Sequence, residues 1–297
     1  MQQNVLIELG LPVSLMIIMA GMGLTLTPSD FRRVVVYPRA MIVGSIAQIV
    51  LIPALAFALV ELLNLSPAIG VGLVVIAACP GGTTSNVFTF LARANLALSI
   101  VLTVLASLIT IFTIPIFTNA ALELYADSSV NAAVQLPVAQ TVVTLFGIIV
   151  VPVIVGMVIR AKRPAFAKRS EKWVSQFGVA VLAVLILVIV FQTRDQILSL
   201  LAQAGPSAVA LNVAGIGLGL LCGKLFRLQF DETLTIAIEV GIKNGTIGLL
   251  VTMTLLKSAE MAIPSAVYGV LMFAFGGLLV VYGRRRTQSN PAPEQPA

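Results

Sequence analysis

Apolar residues follow one another along this chain in long stretches, almost without interruption, from near the N-terminus to Arg286. A helix needs about 20 such residues to cross a hydrocarbon core of about 30 Å. The pattern predicts nine spans, over residues 4–26, 38–60, 67–94, 96–120, 137–160, 173–193, 206–224, 233–256 and 262–283, joined by short polar loops. The loop ELYADSSVNAAVQ separates an N-terminal half (1–121) of four spans from a C-terminal half (137–286) of five. The tail 287–297 is polar and proline-rich, a composition that predicts disorder.

Composition sharpens this picture. Of 297 residues, 59% are hydrophobic and 10% charged, whereas a soluble domain carries about 25% charged residues. The chain cannot cover a globular surface with polar groups, and it reads as an all-α polytopic membrane protein. No polar segment is longer than a short loop, which leaves no room for a soluble catalytic or nucleic-acid-binding domain. There is no histidine, so the commonest metal ligand and the usual proton shuttle at neutral pH are missing. No transition metal or organic cofactor is expected. Cys79 and Cys222 lie inside apolar runs and read as buried thiols rather than a disulfide. The N-terminus, MQQNVLIELG, has no basic region before its first apolar residues and does not read as a cleaved signal peptide.

Charge sets an orientation. Nine spans put the termini on opposite sides, and Arg284, Arg285 and Arg286 put the C-terminus in the cytoplasm by the positive-inside rule, leaving the N-terminus outside. The same side receives Arg32, Arg33 and Arg39, Arg93, the six basic residues from Arg160 to Lys172, and Lys224 with Arg227. The other side receives Arg194 and Lys257 alongside Glu61, Glu123, Asp127, Asp195 and Glu260. The asymmetry predicts a multi-pass protein of the inner (plasma) membrane.

Two spans are unlike ordinary membrane helices. The third contains Cys-Pro-Gly-Gly-Thr-Thr-Ser-Asn at residues 79–86, and the eighth contains Glu-Val-Gly-Ile-Lys-Asn-Gly at 239–245. Proline and paired glycines remove or weaken helical hydrogen bonds, and bare backbone at membrane depth persists only where protein or a water-filled cavity satisfies it. Both spans are predicted to be broken helices, one in each half, as in transporters built from inverted repeats. The plainer alternative is that Pro80 and Gly241 merely kink tightly packed helices.

The breaks carry the chemistry. Glu239 and Lys243 are the only formal charges near the centre of a span, where each costs about 2.5–3.5 kcal/mol on insertion scales. Their i, i+4 spacing, acid first, would suit an intrahelical ion pair on an intact helix. Ser85 and Asn86 lie at the other break, and Ser99 and Thr103 share one face of the next span. Hydroxyl and amide oxygens with one nearby carboxylate are what a hard monovalent cation needs in place of its hydration shell. A single membrane Ser or Thr more often bonds a carbonyl of its own helix or joins neighbouring helices.

The segments GMGLTLTPSDF (21–31), AQIVLIP (47–53), PGGTTSNVFTFLARANLALS (80–99) and EVGIKNGT (239–246) resemble successive signatures of the bile acid:sodium symporter family. The resemblance implies two inverted repeats, here without the first span of the first repeat. It implies a panel of spans one, five and six against a core of spans two to four and seven to nine, with the two broken helices, spans three and eight, crossing in the core. It also implies a first sodium site at Ser85, Asn86, Ser99, Thr103 and Glu239. For the family's second sodium site, Gln48, Glu239, Val240 and Ile242 match, but Lys243 stands where the family has a second glutamine. An ammonium is a fixed cation with three donors, and its repulsion would disfavour a second ion there.

Half-helix N-termini favour an anionic group. By the resemblance the substrate is an organic anion, such as a bile acid, pantoate, a keto acid or a sulfo-conjugate, with Thr83, Thr84 and Asn244 as contacts. The alternative role for those three residues is local helix capping. The expected activity is secondary transport by alternating access, coupled to sodium and not enzymatic. The expected partners are a small organic anion, sodium ions and the lipid bilayer, with no nucleic acid and no obligate protein partner. One rival is a cation/proton exchanger of the same crossed-helix plan, with Glu239 carrying the proton. Rivals from other classes are an ion channel, which no repeated pore-loop signature supports, and an intramembrane hydrolase, against which stand the lack of histidine and of an Asp pair in the spans.

Overall fold

The structure, a computed structural model, describes residues 9–32, 37–125 and 135–289. The first residues of the first expected span, Arg33, Asp127 in the dividing loop and the tail from residue 290 lie outside the described residues. The described chain is helical, with one isolated backbone bridge. In chain order the helices are α1 (Leu11–Thr25), α2 (Pro28–Arg32), α3 (Pro38–Leu62), α4 (Pro67–Ala78), α5 (Thr83–Leu91) and α6 (Leu96–Tyr125). They continue as α7 (Val138–Lys162), α8 (Pro164–Gln192), α9 (Ile197–Leu225), α10 (Phe230–Gly241), α11 (Gly245–Leu255) and α12 (Ala259–Ser289).

Five stretches are long and apolar enough to cross a membrane: α3, α6, α7, α9 and Ala259–Arg286 of α12. α1, α4, α11 and residues Gln176–Gln192 of α8 are shorter apolar helices. Bulky apolar side chains such as Leu187, Phe191, Leu198 and Leu278 face outward, the surface a lipid-covered protein presents.

Proline marks several helix starts, at Pro28, Pro38, Pro67 and Pro164, where its missing N–H would have no intrahelical partner in any case. α10 begins instead with a capping box, in which Gln229 and Glu232 satisfy each other's backbone N–H groups. The seventh and ninth spans extend further than expected. α9 starts at Ile197 with Pro206 inside it, and α12 starts at Ala259 with Pro264 inside it and runs on to Ser289, into the segment expected to be disordered. An internal proline forfeits one hydrogen bond, and neighbouring helices compensate for that in a membrane protein. Leu200 and Ala204 are already buried ahead of Pro206.

Packing divides the helices into two groups. α1 packs chiefly against α7 and α8. Here the backbones approach closely: a side chain at Gly23 would run into the Val153 carbonyl, and one at Gly156 into that of Ala20. The Arg160 guanidinium donates to the Leu24 carbonyl across the same contact, at 2.7 Å. In the second group α9 packs on α10 and α12, and α4 on α3, α6 and α12. The two groups touch along α6 with α7 and along α8 with α12.

Candidate functional site

The interruptions after α4 and α10 meet. α4 ends at Cys79 and α5 begins after Gly82, both extended residues, with Pro80 and Gly81 between them. α10 ends at an extended Ile242 and α11 begins after Asn244. Gly81 and Lys243 form an antiparallel bridge, and the Asn244 N–H donates to the Pro80 carbonyl at 2.8 Å. Each break therefore satisfies backbone groups that the other has released. The Gly241 carbonyl, freed at the end of α10, accepts from the Tyr268 hydroxyl at 2.8 Å and from Asn212 Nδ2 at 3.0 Å. Asn212 and Tyr268 were not anticipated. Their only trace in the sequence is a polar group standing singly in an apolar helix.

Glu239, on the last turn of α10, is 1% exposed. Its Oε1 accepts from Ser85 Oγ at 2.6 Å and Ser99 Oγ at 2.5 Å, and its Oε2 from Thr103 Oγ1 at 2.8 Å. Ser99 Oγ is also 2.8 Å from Asn86 Oδ1. All five residues assigned to the first sodium site by resemblance thus lie in one hydrogen-bonded cluster, from α5, α6 and α10. A side chain at position 81 would strike the carboxylate, which accounts for Gly81. Thr89, one turn after Ser85, was missed. Its hydroxyl donates to Ser99 Oγ at 3.1 Å, and the i, i+4 spacing from Ser85 was the available signal.

The cluster has more oxygen atoms than protons to share among them. A hydroxyl carries one proton, yet Ser85 Oγ lies within bonding reach of both Glu239 and the Gly82 carbonyl, the latter at 2.7 Å. Ser99 likewise faces both Glu239 and Asn86. Each can serve one acceptor at a time. A carboxylate, several hydroxyls and an amide oxygen, with neither sulfur nor imidazole among them, fit a small hard monovalent cation.

Gln48 sits on α3 in a widened, π-helical turn, Ala47–Leu51, in which the Ile52 N–H reaches back to the Ala47 carbonyl. Pro53 follows, and the ring of a helical proline crowds the carbonyl four residues before it. The wider turn relieves that crowding, which is why AQIVLIP folds this way. Gln48 Nε2 donates to the Leu102 carbonyl at 3.2 Å, while its buried Oε1 has no partner among the described residues. Lys243 Nζ lies 3.4 Å from the Gln48 backbone carbonyl. Among the described residues Glu239 and Lys243 form no ion pair: the helix ends at Gly241 and Ile242 is extended, so the i, i+4 relation is lost. Val240 and Ile242 are buried on either side of Gly241, and the Val240 carbonyl faces α9 at Gly215.

Thr83, Thr84, Lys243 and Asn244 line a cavity of about 260 Å³ beside the crossing, whose far wall includes Ile18 of α1 and Leu182 of α8. No side chain caps α5 at Gly82, although the Ser85 N–H in its first turn donates to the Gly82 carbonyl at 3.0 Å. Asn244 does act as a cap: its Oδ1 accepts from the Ile247 N–H at 3.3 Å.

Residues 12–200 match the sodium bile acid symporter family. The chain belongs to that family. The uncharacterized sodium-dependent transporter YocS of Bacillus subtilis (strain 168) is 32% identical over 281 residues, covering 93% of this chain and 83% of that protein. The probable sodium/metabolite cotransporter BASS2, chloroplastic, of Oryza sativa subsp. japonica is 31% identical over 274 residues, 92% of this chain and 64% of the rice protein. The human ileal sodium/bile acid cotransporter is 28% identical over 244 residues, 81% of this chain and 68% of its own length. The symporter is a multi-pass membrane transporter of the sodium-coupled kind.

Proposed function

We propose that this symporter carries a small organic anion together with sodium by alternating access. Ser85, Asn86, Ser99, Thr103 and Glu239 hold the ion, and the cavity beside Thr83, Thr84 and Asn244 holds the anion. The observation that carries the reading is the ring of three hydroxyls on one buried carboxylate at the meeting point of two helix breaks. A buried carboxylate without a paired cation is costly, and a bound sodium ion offsets that cost.

Nine spans are assigned, with α4/α5 and α10/α11 each forming one broken span. α1, α7 and α8 form the panel and the remaining helices the core, in halves 1–121 and 137–286. The cavity is lined by helices of both groups, so movement of one against the other exposes it to alternate sides. The distribution of Lys and Arg favours the inner membrane with the N-terminus outside and the C-terminus in the cytoplasm.

Lys243 takes the place of a second sodium ion, a reading supported by its Nζ at the Gln48 carbonyl. A second cation about 4 Å from that ammonium would cost about 4 kcal/mol at an effective dielectric of about 20. Glu239 and Lys243 cancel, so one sodium and one monovalent anion keep the site neutral. The relatives' names span metabolites and bile acid. A cavity of about 260 Å³ lies below the range of about 300–1,000 Å³ that takes drug-sized ligands, and it favours a compact carboxylate such as pantoate or a keto acid.

The test is uptake of a panel of radiolabelled organic anions into proteoliposomes, with and without sodium and proton gradients. An inward sodium gradient is expected to drive one compact carboxylate. Ion movement in the absence of any organic anion would favour the exchanger.

A further inference from the structure

The turn between α5 and α6, residues 92–95, supplies no side chain to the ion cluster or the cavity, yet it is tied down from three sides. Arg93 is left-handed, at φ 56°, where α5 ends. The Leu91 carbonyl accepts from Arg284 Nε at 2.8 Å. Asn95 caps α6, its Oδ1 accepting from the Leu98 N–H at 3.0 Å. The same residue is bound to α10 by its side chain and its backbone. Its Nδ2 donates to Asp231 Oδ2 at 3.3 Å, and its backbone N–H donates to Thr235 Oγ1 at 2.9 Å. The Thr235 hydroxyl in turn donates to the Asp231 carbonyl at 2.7 Å, and Thr235 is wholly buried.

Spacing links this joint to the ion cluster. Four residues along α6 from Asn95 is Ser99, and four residues along α10 from Thr235 is Glu239. At about 1.5 Å rise per residue both steps advance about 6 Å. The two helices leave the joint in the same direction, so contact at 95 and 235 brings 99 opposite 239, where the hydroxyl and carboxylate are 2.5 Å apart. A slip of one residue would turn the α6 face by about 100° and carry Ser99 and Thr103 away from the carboxylate together.

We infer that Asn95, Asp231 and Thr235 are positioning residues for the coupling ion: they fix the register of α6 on α10 so that the ligands converge on Glu239. The inference rests on the reading of Ser85, Asn86, Ser99, Thr103 and Glu239 as the sodium site. A joint that served stability alone would, when cut, lower the unfolding temperature in the absence of sodium and leave the affinity of the folded protein for sodium unchanged.

The experiment measures radiosodium binding to the purified full-length protein, alongside its sodium-free unfolding temperature. Asn95→Asp keeps the α6 cap but replaces the donor facing Asp231 with a second carboxylate. It is expected to weaken sodium binding about tenfold, the worth of one hydrogen bond to a charged group. Adding Asp231→Asn restores the pair with donor and acceptor exchanged and should recover most of the lost affinity. From the α10 side, Thr235→Val should weaken binding similarly, and Thr235→Ser should not. Wild-type protein that binds no radiosodium would remove the site reading itself. Wild-type protein that binds it, with Asn95→Asp and Thr235→Val binding as well as wild type, would overturn this inference alone.

Discussion

The first break bends by its own covalent chemistry, whereas the second is held open by contacts from elsewhere. Residues 79–82 include a proline and two glycines, and the break they make bears no charge. What it and the following turn offer is oxygen: Ser85, Asn86 and the Gly82 carbonyl. The second break contains no proline. Its shape depends on Tyr268 and Asn212 bonding the Gly241 carbonyl, on Asn244 capping α11, and on the Pro80 carbonyl across the gap. It also carries both formal charges of the membrane interior. On the proposed reading, a cation is held between a neutral, locally rigid shell and a charged group whose position is set by distant helices. That division would let the ion sense the arrangement of the whole core.

The largest effect expected from upsetting this division comes from removing the charge. Glu239→Gln keeps the size of the side chain but presents an NH₂ to hydroxyls that now donate. Loss of several charge-assisted hydrogen bonds, each about 1.5–3 kcal/mol, predicts at least about a hundredfold weaker sodium binding and no sodium-driven uptake. The protein should remain monodisperse on gel filtration. Undiminished sodium-driven uptake by folded Glu239→Gln would take the residue out of the coupling site.

Next comes a pair of substitutions that separates the neutral shell from its neighbourhood. A methyl group at Gly81 would press on the Glu239 carboxylate, while one at Gly82 would meet Asn244 at an ordinary contact distance of 3.6 Å. Gly81→Ala is expected to lower sodium affinity by roughly tenfold, and Gly82→Ala to change it little. Equal effects in radiosodium binding would mean that glycine serves only the bend.

Lys243→Gln tests the charged side of the comparison. It puts in place the glutamine that the resemblance implies and removes the ammonium from the Gln48 carbonyl. If the lysine stands in for a sodium ion, wild-type uptake of a monovalent anion should rise with sodium at a slope near one and ignore the membrane potential. The variant should show a steeper slope and respond to an imposed potential. A wild-type slope of two, unchanged in the variant, would mean that the ammonium replaces nothing.

Much of this site was open to sequence reading, and the reasons differ by residue. Ser85, Asn86, Ser99, Thr103 and Glu239 stand at or near helix breaks inside apolar spans, where a polar group has few roles to choose among, and the resemblance named them together. The Glu239–Lys243 pairing failed because the i, i+4 rule presupposes a continuous helix, and the extended Ile242 removes that premise. Pro206 and Pro264 fall near the starts of the spans expected at 206–224 and 262–283, but local chemistry cannot say whether neighbours will compensate a lost hydrogen bond. Asn212 and Tyr268 were invisible for the same reason in reverse: a lone polar group in an apolar helix fits many partners, and only tertiary packing brings these two to Gly241.

The smallest effect belongs to one of those distant supports. Tyr268→Phe removes the shorter of two hydrogen bonds to the Gly241 carbonyl and leaves the ring, which is wholly buried, in place. Asn212 Nδ2 still donates at 3.0 Å, so the carbonyl is not orphaned and the cost should be about 1 kcal/mol. Because Gly241 follows Glu239 by only two residues, the alternative is that the tyrosine also aims the carboxylate. Thermal unfolding and radiosodium binding separate the two. A support for the break alone lowers the unfolding temperature modestly and leaves sodium affinity where it was. A fall in affinity larger than the fall in stability would extend the coupling site to α12 and make the second break, like the first, a direct shaper of the ion's surroundings.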